Sequence, residues 1–150
     1  MIVLGTNVIS ELARPAPNDH VLAWADAQDD LTVTATIVAE LLYGVARLPD
    51  GARKARLAQG VREMIDERLA GKVLAFGRAA ATHYAEIVAG RDRAGRPIGV
   101  ADGQIAAICR VHGAALATRN VRDFDDTGIV VVNPWTANGP AEARTPPPES

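Results

Sequence analysis

Short segments rich in Val, Ile, Leu and Thr alternate along this chain with longer segments of helical periodicity. Such short runs, bounded by Gly, Pro or Asn, are typical of strands, and the longer segments are typical of amphipathic helices. Strands that alternate with helices predict a parallel α/β sheet joined by right-handed crossovers. The predicted strands cover residues 1–4, 31–35, 73–76, 114–118 and 129–132, and the predicted helices cover 6–13, 18–28, 36–48, 52–69, 78–89 and 99–112.

The composition predicts a single folded domain. With 150 residues, of which 48% are hydrophobic, the chain can bury one core. Residues 136–150 are rich in Pro, Ala and Glu without apolar periodicity, so we predict a domain over 1–135 followed by a disordered tail. The start of the chain lacks the pattern of a signal peptide, and no stretch approaches a membrane span, so we expect a cytoplasmic protein.

The net charge and the single cysteine exclude several classes of protein. A formal net charge of −2 gives no overall attraction to nucleic acid, so any basic surface must be local. Cys109 cannot form an internal disulfide, and its apolar neighbours predict a buried helical position. His20, His83 and His112 lack the spacing of zinc ligands, and the sequence has no glycine-rich phosphate loop of the Walker type.

Glu40 is the charged residue that fits its surroundings least well. It is the only charged residue between Thr36 and Arg47, in a segment that is predicted to be a buried helix. A carboxylate in such a place costs several kcal/mol unless it is paired, hydrogen-bonded or bound to a cation. If Thr36 is the N-cap, the capping-box position is Ala39, so helix capping does not explain Glu40. A buried pair with an arginine is one explanation; a bound ligand is the other, which we favour.

Asp102 and the segment 118–126 carry the other acids of interest. Asp102 is the only charged residue in PIGVADGQIAAI, where it fits equally well a helix-start acid favoured by the helix dipole and a ligand. Asp123 lies in a polar segment directly after a predicted strand, and a plain turn would explain much of that segment. In parallel sheets, however, ligands bind beyond the carboxyl ends of the strands, so Glu40, Asp102 and Asp123 could converge there.

Converging carboxylates without His or Cys define the kind of ligand to expect. Hard cations prefer such oxygen donors, and Mg²⁺ and Mn²⁺ are the usual examples in proteins. The sequence therefore predicts a Mg²⁺ or Mn²⁺ site at the carboxyl edge of the sheet.

Four segments resemble the motifs of a known family. MIVLGTNVISEL resembles the MIVLDTNVISEL opening of PIN-domain toxins of the VapC type. TATIVAELLYGV and PIGVADGQIAAI resemble the second and third motifs of these toxins, with Glu40 and Asp102 as their acids. LATRNVRDFDDTGIVVVNPW resembles the closing segment, in which Asn120 and Asp123 occupy the fourth site. Each motif is weak alone, but four of them in this order over residues 1–135 form a specific pattern.

The resemblance implies an α/β fold of the PIN type: a three-layer sandwich with a mainly parallel central sheet and helices on both faces. It also implies a Mg²⁺- or Mn²⁺-dependent endoribonuclease toxin that hydrolyses structured RNA (tRNA or ribosomal RNA), is inhibited by a cognate antitoxin and forms a homodimer.

The resemblance also implies roles for individual residues. Glu40, Asp102 and Asp123 would hold the metal, and Asn120 and Thr118 would position the phosphate or water. Side chains near the motifs would contact RNA phosphates, and the candidates are Thr6, Thr118, Arg91, Arg93, Arg96, Arg119 and Arg122. For Arg91 and Arg93, an exposed loop charge without function explains the sequence at least as well.

Position 5 departs from the family pattern, because Gly5 stands where the resemblance implies an aspartate. Glycine has no side-chain ligand, so cation affinity should fall, while the loss of one crowded acid relieves repulsion in the metal-free protein. Glu11 lies too far along the following helix to substitute. An engineered inactivation and a natural change both explain Gly5. We therefore expect a PIN ribonuclease of reduced or no activity, or a catalytically silent PIN-fold protein that binds antitoxin or RNA.

Overall fold

The computed structural model describes residues 1–137, which form five strands and six α-helices. The strands are β1 (Ile2–Leu4), β2 (Leu31–Thr34), β3 (Val73–Leu74), β4 (Ala115–Ala117) and β5 (Val131–Val132). The helices are α1 (Thr6–Leu12), α2 (Asp19–Asp26), α3 (Ala35–Ala46), α4 (Ala52–Glu63), α5 (Arg78–Arg93) and α6 (Val100–His112). A π-helical turn (Met64–Arg68) follows α4, and a 3₁₀-helix (Val121–Phe124) follows β4.

The strands form one parallel sheet. Their order is β3-β2-β1-β4-β5, and every neighbouring pair runs parallel. Consecutive residues of a strand face opposite sides of the sheet, and Val3, Leu4, Leu116 and Ala117 are all at most 1% exposed. Both faces of the sheet are therefore covered, as parallel sheets require. The predicted α/β architecture is confirmed.

The connectivity reverses direction between β1 and β4. From β1 the chain moves outward to β2 and β3, and it then returns to the other side of β1 for β4 and β5. Open α/β sheets bind ligands beyond the carboxyl ends of the strands at such a reversal, where a crevice opens between the diverging connections. Gly5 follows β1 and Thr118 follows β4, so both residues lie at this crevice.

The N-terminus of α3 differs from its prediction. Thr34, the last residue of β2, caps the helix by accepting a hydrogen bond from the Ile37 amide at 3.1 Å, so the predicted cap at Thr36 is wrong. Capping still does not explain Glu40, because the capping-box position that belongs to Thr34 is Ile37.

The fifth helix is longer than predicted. It continues through Gly90 to Arg93, so the polar loop predicted over 90–97 begins only after that residue. Glycine inside a helix costs about 1 kcal/mol relative to alanine, which is why the sequence indicated an earlier end. Ile87 and Arg91 are both buried at helical spacing on the inner face of α5, and their packing outweighs this cost.

The described structure reaches two residues into the predicted tail. Thr136 and Ala137 form a turn in which both amides donate to the Asn133 carbonyl, at 3.1 and 2.9 Å. The rest of the predicted tail, 138–150, lies outside the described residues.

The core includes Trp24 and the single cysteine. Trp24 is 4% exposed and Cys109 is fully buried in α6. Burial raises the pKa of the Cys109 thiol to about 12, so this thiol is not a nucleophile near neutral pH. No helix between residues 1 and 137 is long and apolar enough to cross a membrane.

Helices α5 and α6 pack closely at Gly103. A Cβ atom at this position would lie 2.9 Å from Tyr84 Cε2 and 3.2 Å from Val88 Cγ2, both on α5. Real Cβ atoms do not come so near to a neighbouring ring, so α6 needs a glycine here despite its poor helix propensity. The contact fixes α6, and with it the adjacent Asp102, against the rest of the domain.

We predict that Gly103→Ala destabilises the protein by about 1–3 kcal/mol, because Tyr84 or the α5 backbone must move to admit the methyl group. Gly90→Ala is the matched control. No atom of residues 1–137 beyond its own stretch of helix lies within 4 Å of the corresponding Cβ position, and the gain in helix propensity should stabilise by about 0.5–1 kcal/mol. Urea unfolding measures both changes. Equal stability of the two variants would contradict close packing at Gly103.

Candidate active site

A cavity of about 120 Å³ opens at the carboxyl edge of the sheet, where β1 and β4 end. Its lining residues are Gly5, Thr6, Asn7, Glu40, Asp102, Ile105, Leu116, Thr118, Asn120, Asp123 and Phe124. The structure thus brings together the residues predicted for metal binding and catalysis, which are Glu40, Asp102, Asp123 and Asn120. Asn7 was not predicted for the site, although it follows Gly5 and Thr6 directly in the first motif.

Gly5 is buried and forms the N-cap of α1, so neither Thr6 nor Asn7, whose side chains make them candidate caps in the sequence, occupies that position. No side chain caps this helix start, and the Gly5 carbonyl accepts the first hydrogen bonds of the helix. Its φ of −71° and ψ of 166° suit any residue. A Cβ atom here would, however, lie 2.8 Å from the Ala117 carbonyl oxygen. A side chain at position 5 therefore requires the end of β4 to shift slightly.

Glu11 does not supply the missing carboxylate. Its oxygens accept hydrogen bonds from Arg14 Nη1 at 2.9 Å and from the Asn18 amide at 3.0 Å. These bonds, the Arg14 bond first, hold the pKa of Glu11 below its ordinary value. Glu11 is thus committed to the turn after α1, outside the cavity lining.

Glu40 lies on α3, half-buried, and its carboxylate accepts a hydrogen bond from Thr6 Oγ1 at 3.5 Å. Burial raises the pKa of Glu40, and the nearby Asp102 charge raises it further, while the Thr6 bond opposes the rise. No arginine within residues 1–137 contributes to this pKa, so the alternative of a buried arginine pair is not met there. Thr36 Oγ1 donates to Gln104 Oε1 at 3.0 Å, which ties α3 to α6 beside the two acids.

Asp102 lies in the first turn of α6, whose N-cap is Gly99 as predicted. Burial raises the pKa of Asp102 and the Asp123 charge raises it further, while Arg91 lowers it. A helix start alone would stabilise the ionised form and lower the pKa. Asp102 therefore lies where both interpretations of the sequence place it, in the first turn of a helix and in the lining of the cavity.

Asn120 and Asp123 are carried by the turn after β4. Thr118 is buried at the end of the strand, and its Oγ1 accepts a hydrogen bond from the Asn120 amide at 3.1 Å. Asn120 precedes the 3₁₀-helix without capping it through its side chain, and Phe124 anchors the other end of that helix in the core. Asn120 and Asp123 are both exposed, so they form the solvent-facing rim of the cavity.

The donor set of the cavity is chemically suited to a hard divalent cation. Its polar side chains are carboxylates, hydroxyls and amides, which are the donors that Mg²⁺ and Mn²⁺ prefer. Within residues 1–137, however, no three Asp, Glu, His or Cys side chains are close enough to hold one ion together. Mg²⁺ commonly keeps several waters and binds through one or two carboxylates. Glu40, whose pKa the Asp102 charge raises, and Asp102 itself would suit such a hydrated ion.

The predicted RNA-binding residues divide into two groups. Thr6 and Thr118 line the cavity. Arg96, Arg119 and Arg122 are exposed and lie outside its lining.

Arg96 and Arg119 are engaged in contacts within the chain. Arg96 pairs with Asp126 and, at 3.7 Å, with Asp125, so RNA would have to compete with two carboxylates for it. The Arg119 guanidinium lies 4.7 Å from the centre of the Trp135 ring. Stacking on a ring holds the guanidinium plane while its edge can still donate to a phosphate. Arg119 is therefore the better placed of the two for RNA.

Arg91 is not an exposed loop charge, and its prediction as an RNA-binding residue is wrong. It is 7% exposed in the last turn of α5. Its Nε donates to the Arg96 carbonyl at 2.6 Å, and its Nη1 donates to the carbonyls of Asp123 and Asp125 at 3.0 and 2.9 Å. Sequence reasoning missed this position because the helix was predicted to end before it. Arg93 is exposed on the same turn, so its role stays a prediction.

Comparison with known proteins identifies the family. A model of the PIN domain matches residues 2–130. The chain belongs to the PIN-domain family. It is 43% identical to VapC ribonuclease Y4jK of Sinorhizobium fredii, over 90% of this chain and 98% of that protein. It is 41% identical to toxin FitB of Neisseria gonorrhoeae, over 90% of this chain and 99% of that protein.

A solved structure supports the same placement of this PIN domain. The structure of FitAB bound to a DNA fragment matches it with a TM-score of 0.82 at 39% identity, over 92% of this chain and 98% of that chain. The family resemblance seen in the four motifs is confirmed. That Gly5 replaces an aspartate stays a prediction from the first motif.

We predict that Asp102→Asn stabilises the metal-free PIN domain near neutral pH. A carboxyl whose pKa rises on folding holds its proton more tightly in the folded state, so its ionisation destabilises the fold. This destabilisation of the folded state is absent below the ordinary pKa of 3.8 and complete above the raised pKa. Urea unfolding in EDTA should therefore show that Asp102→Asn changes the free energy of unfolding little at about pH 4 and increases it clearly at about pH 7.

Asp29→Asn, at an exposed position in the turn before β2, is the control for a general effect of removing one negative charge. A pH-dependent gain of the same size in both variants would show that crowding at the cavity is not its cause.

Proposed function

We propose that this protein is an endoribonuclease toxin of a VapBC-type toxin–antitoxin system, acting on structured RNA (tRNA or ribosomal RNA) with Mg²⁺ or Mn²⁺. The observation that carries the proposal is the convergence of Glu40, Asp102 and Asp123 in one cavity at the β1–β4 reversal of a PIN domain. Relatives of nearly the same length that are named a VapC ribonuclease and a toxin support it. The cytoplasm, where these RNAs occur, is the proposed location.

Each cavity residue has a proposed part in the reaction. Glu40 and Asp102 would hold the cation, with Asp123 as a further oxygen donor at the rim. When bound, a divalent cation activates water and stabilises the leaving oxygen of an in-line displacement. Asn120 and Thr118 would orient the scissile phosphate through their amide and hydroxyl groups.

Arg119 would hold a neighbouring phosphate of the RNA. It lies outside the cavity, and its stacking on Trp135 limits its motion before RNA arrives. An immobilised guanidinium loses less conformational freedom on binding than a free one, so its contact with phosphate is more favourable.

Gly5 favours a second candidate: a catalytically silent PIN-fold protein that binds antitoxin or RNA. The position lines the cavity but offers no ligand, and residues 1–137 hold no group of three acids close enough for one ion. We therefore propose that this chain has reduced or no activity. RNA or antitoxin binding without cleavage, even in Mn²⁺, would support the silent form.

The proposed partners are a cognate antitoxin and a second copy of the chain. The similar solved structure is of FitAB on DNA, which supports a partner protein for this chain. Leu42 and Tyr43, on α3, are 55% and 67% exposed, so this helix presents apolar surface that a partner could cover.

We predict that Gly5→Asp cuts a mixture of tRNA and ribosomal RNA in Mn²⁺ but not in EDTA. The new carboxylate would reach the cavity beside Glu40 and Asp102 and raise the affinity for the cation. The unaltered chain should cut at least about tenfold less, since even groups behind the direct ligands change metal-site activity by that factor. Gel analysis of RNA fragments over time measures both rates.

Gly5→Ala is the matched control, because it brings the same Cβ toward the Ala117 carbonyl without a carboxylate. It should fold and not cut, and adding Asp102→Asn to Gly5→Asp should abolish cleavage. If a folded Gly5→Asp variant does not cut, the binding role replaces the nuclease. If it cuts no faster than the unaltered chain, position 5 is not at the metal site.

A further inference from the structure

Arg91 is the only charged residue among residues 1–137 that is buried. A buried charge is costly unless hydrogen bonds and an opposite charge compensate it. The described contacts of its guanidinium are three hydrogen bonds to backbone carbonyls, at 2.6, 3.0 and 2.9 Å. The carbonyls satisfy the hydrogen-bond donors of the guanidinium but carry no full negative charge to compensate its positive charge. The role of a buried arginine at this position must therefore be sought in the segments that it contacts.

The three carbonyls belong to two segments that carry acids of the cavity. Arg96 lies in the connection that leads into α6, whose first turn holds Asp102. Asp123 and Asp125 lie in the turn after β4. Since Arg91 is itself fixed in α5, it clamps both segments to one rigid helix.

The charge of Arg91 acts on Asp102 and opposes the effects of burial and of Asp123 on that carboxyl. Arg91 itself does not line the cavity. It therefore acts from behind the acids, where it would not occupy the space of a cation or a phosphate.

We propose that Arg91 is a positioning residue of the cation site, which fixes Asp123 relative to Asp102 through the three carbonyls that it holds. This rests on the proposed function, since it assigns Arg91 to the same site. An arginine suits the task better than a lysine, because its planar fork donates to several carbonyls at once and stays charged when buried.

The first test follows the turn itself and needs neither metal nor RNA. In Arg91→Met, the amides of residues 120–126 should exchange hydrogen at least about tenfold faster, which corresponds to about 1.4 kcal/mol of lost protection. Arg110→Met is the matched control: Arg110 is a partly buried arginine of α6 that pairs with Glu86 at 3.5 Å, outside the cavity lining. Unchanged exchange in the turn of Arg91→Met would overturn the proposal.

The second test measures Mn²⁺ binding by electron paramagnetic resonance, with every variant in the Gly5→Asp background and at a temperature where it is folded. Arg91→Met should weaken binding by about 10–100-fold, as loss of groups behind metal ligands does, and Arg91→Lys should restore part of it. Arg110→Met should bind as its parent does. Folded Arg91→Met with the affinity of its parent would overturn the proposal and leave Arg91 a stabilising residue only.

Two further outcomes have to be considered: a parent variant that binds no Mn²⁺, and an Arg91→Met variant that does not fold. If the Gly5→Asp parent binds no Mn²⁺, the proposed function fails and so does the role of Arg91 at a cation site, whatever the exchange result. If Arg91→Met does not fold, Arg91→Lys carries the test, and a folded Arg91→Lys with the exchange rates and Mn²⁺ affinity of its parent overturns the proposal.

Discussion

Parallel pairing is the constraint on which the rest of this structure depends, because it makes all five strands end at one edge of the sheet. The segment that follows each strand therefore leaves the sheet at that edge. The reversal of strand order between β1 and β4 separates two of these segments and leaves a crevice between them. Residues far apart in sequence, from Gly5 to Asp123, share one cavity for this reason and not because of any local motif.

A cavity that gathers carboxylates works against the stability of the domain that holds it. Burial and mutual repulsion raise the pKa values of Glu40 and Asp102, so their ionised forms are disfavoured without a cation. The scaffold compensates at short range: Thr6 donates to Glu40, and Thr36 ties α3 to α6. Gly5 acts in the same direction, since an acid fewer means less repulsion. Features that stabilise the metal-free domain would thus also lower the affinity of the proposed site for a cation.

The sequence was informative where a residue conflicted with its local pattern. Glu40 stood out because no helix signal explains a lone acid in an apolar helix, and Gly5 stood out against the first motif. Residues whose role depends on distant partners carried no such signal. The sequence placed Arg91 in a loop, as an RNA contact or as an exposed charge without function, because Gly90 indicated a helix end; the packing of α5 shows that it points inward.

Helix geometry shows the same limit of prediction. Periodicity predicted all six helices. The predicted N-cap of α3 was Thr36 and the observed one is Thr34, because either threonine hydroxyl satisfies the capping preference and the sequence does not distinguish them. Gly103 was without explanation in the sequence, because the ring of Tyr84 that excludes a side chain there belongs to another helix.

The stacking of Arg119 on Trp135 connects the rim of the cavity to the last part of the described chain. Trp135 belongs to the turn at Asn133, which is held by backbone hydrogen bonds, by the Asn133 side chain and by packing of Trp135 against the core. Whatever displaces this turn, such as a proteolytic cut or a fused protein, releases the guanidinium from its ring. If Arg119 holds an RNA phosphate as proposed, the affinity for RNA can be changed at the end of the described chain without altering a single carboxylate, and a purification tag placed there would disturb it.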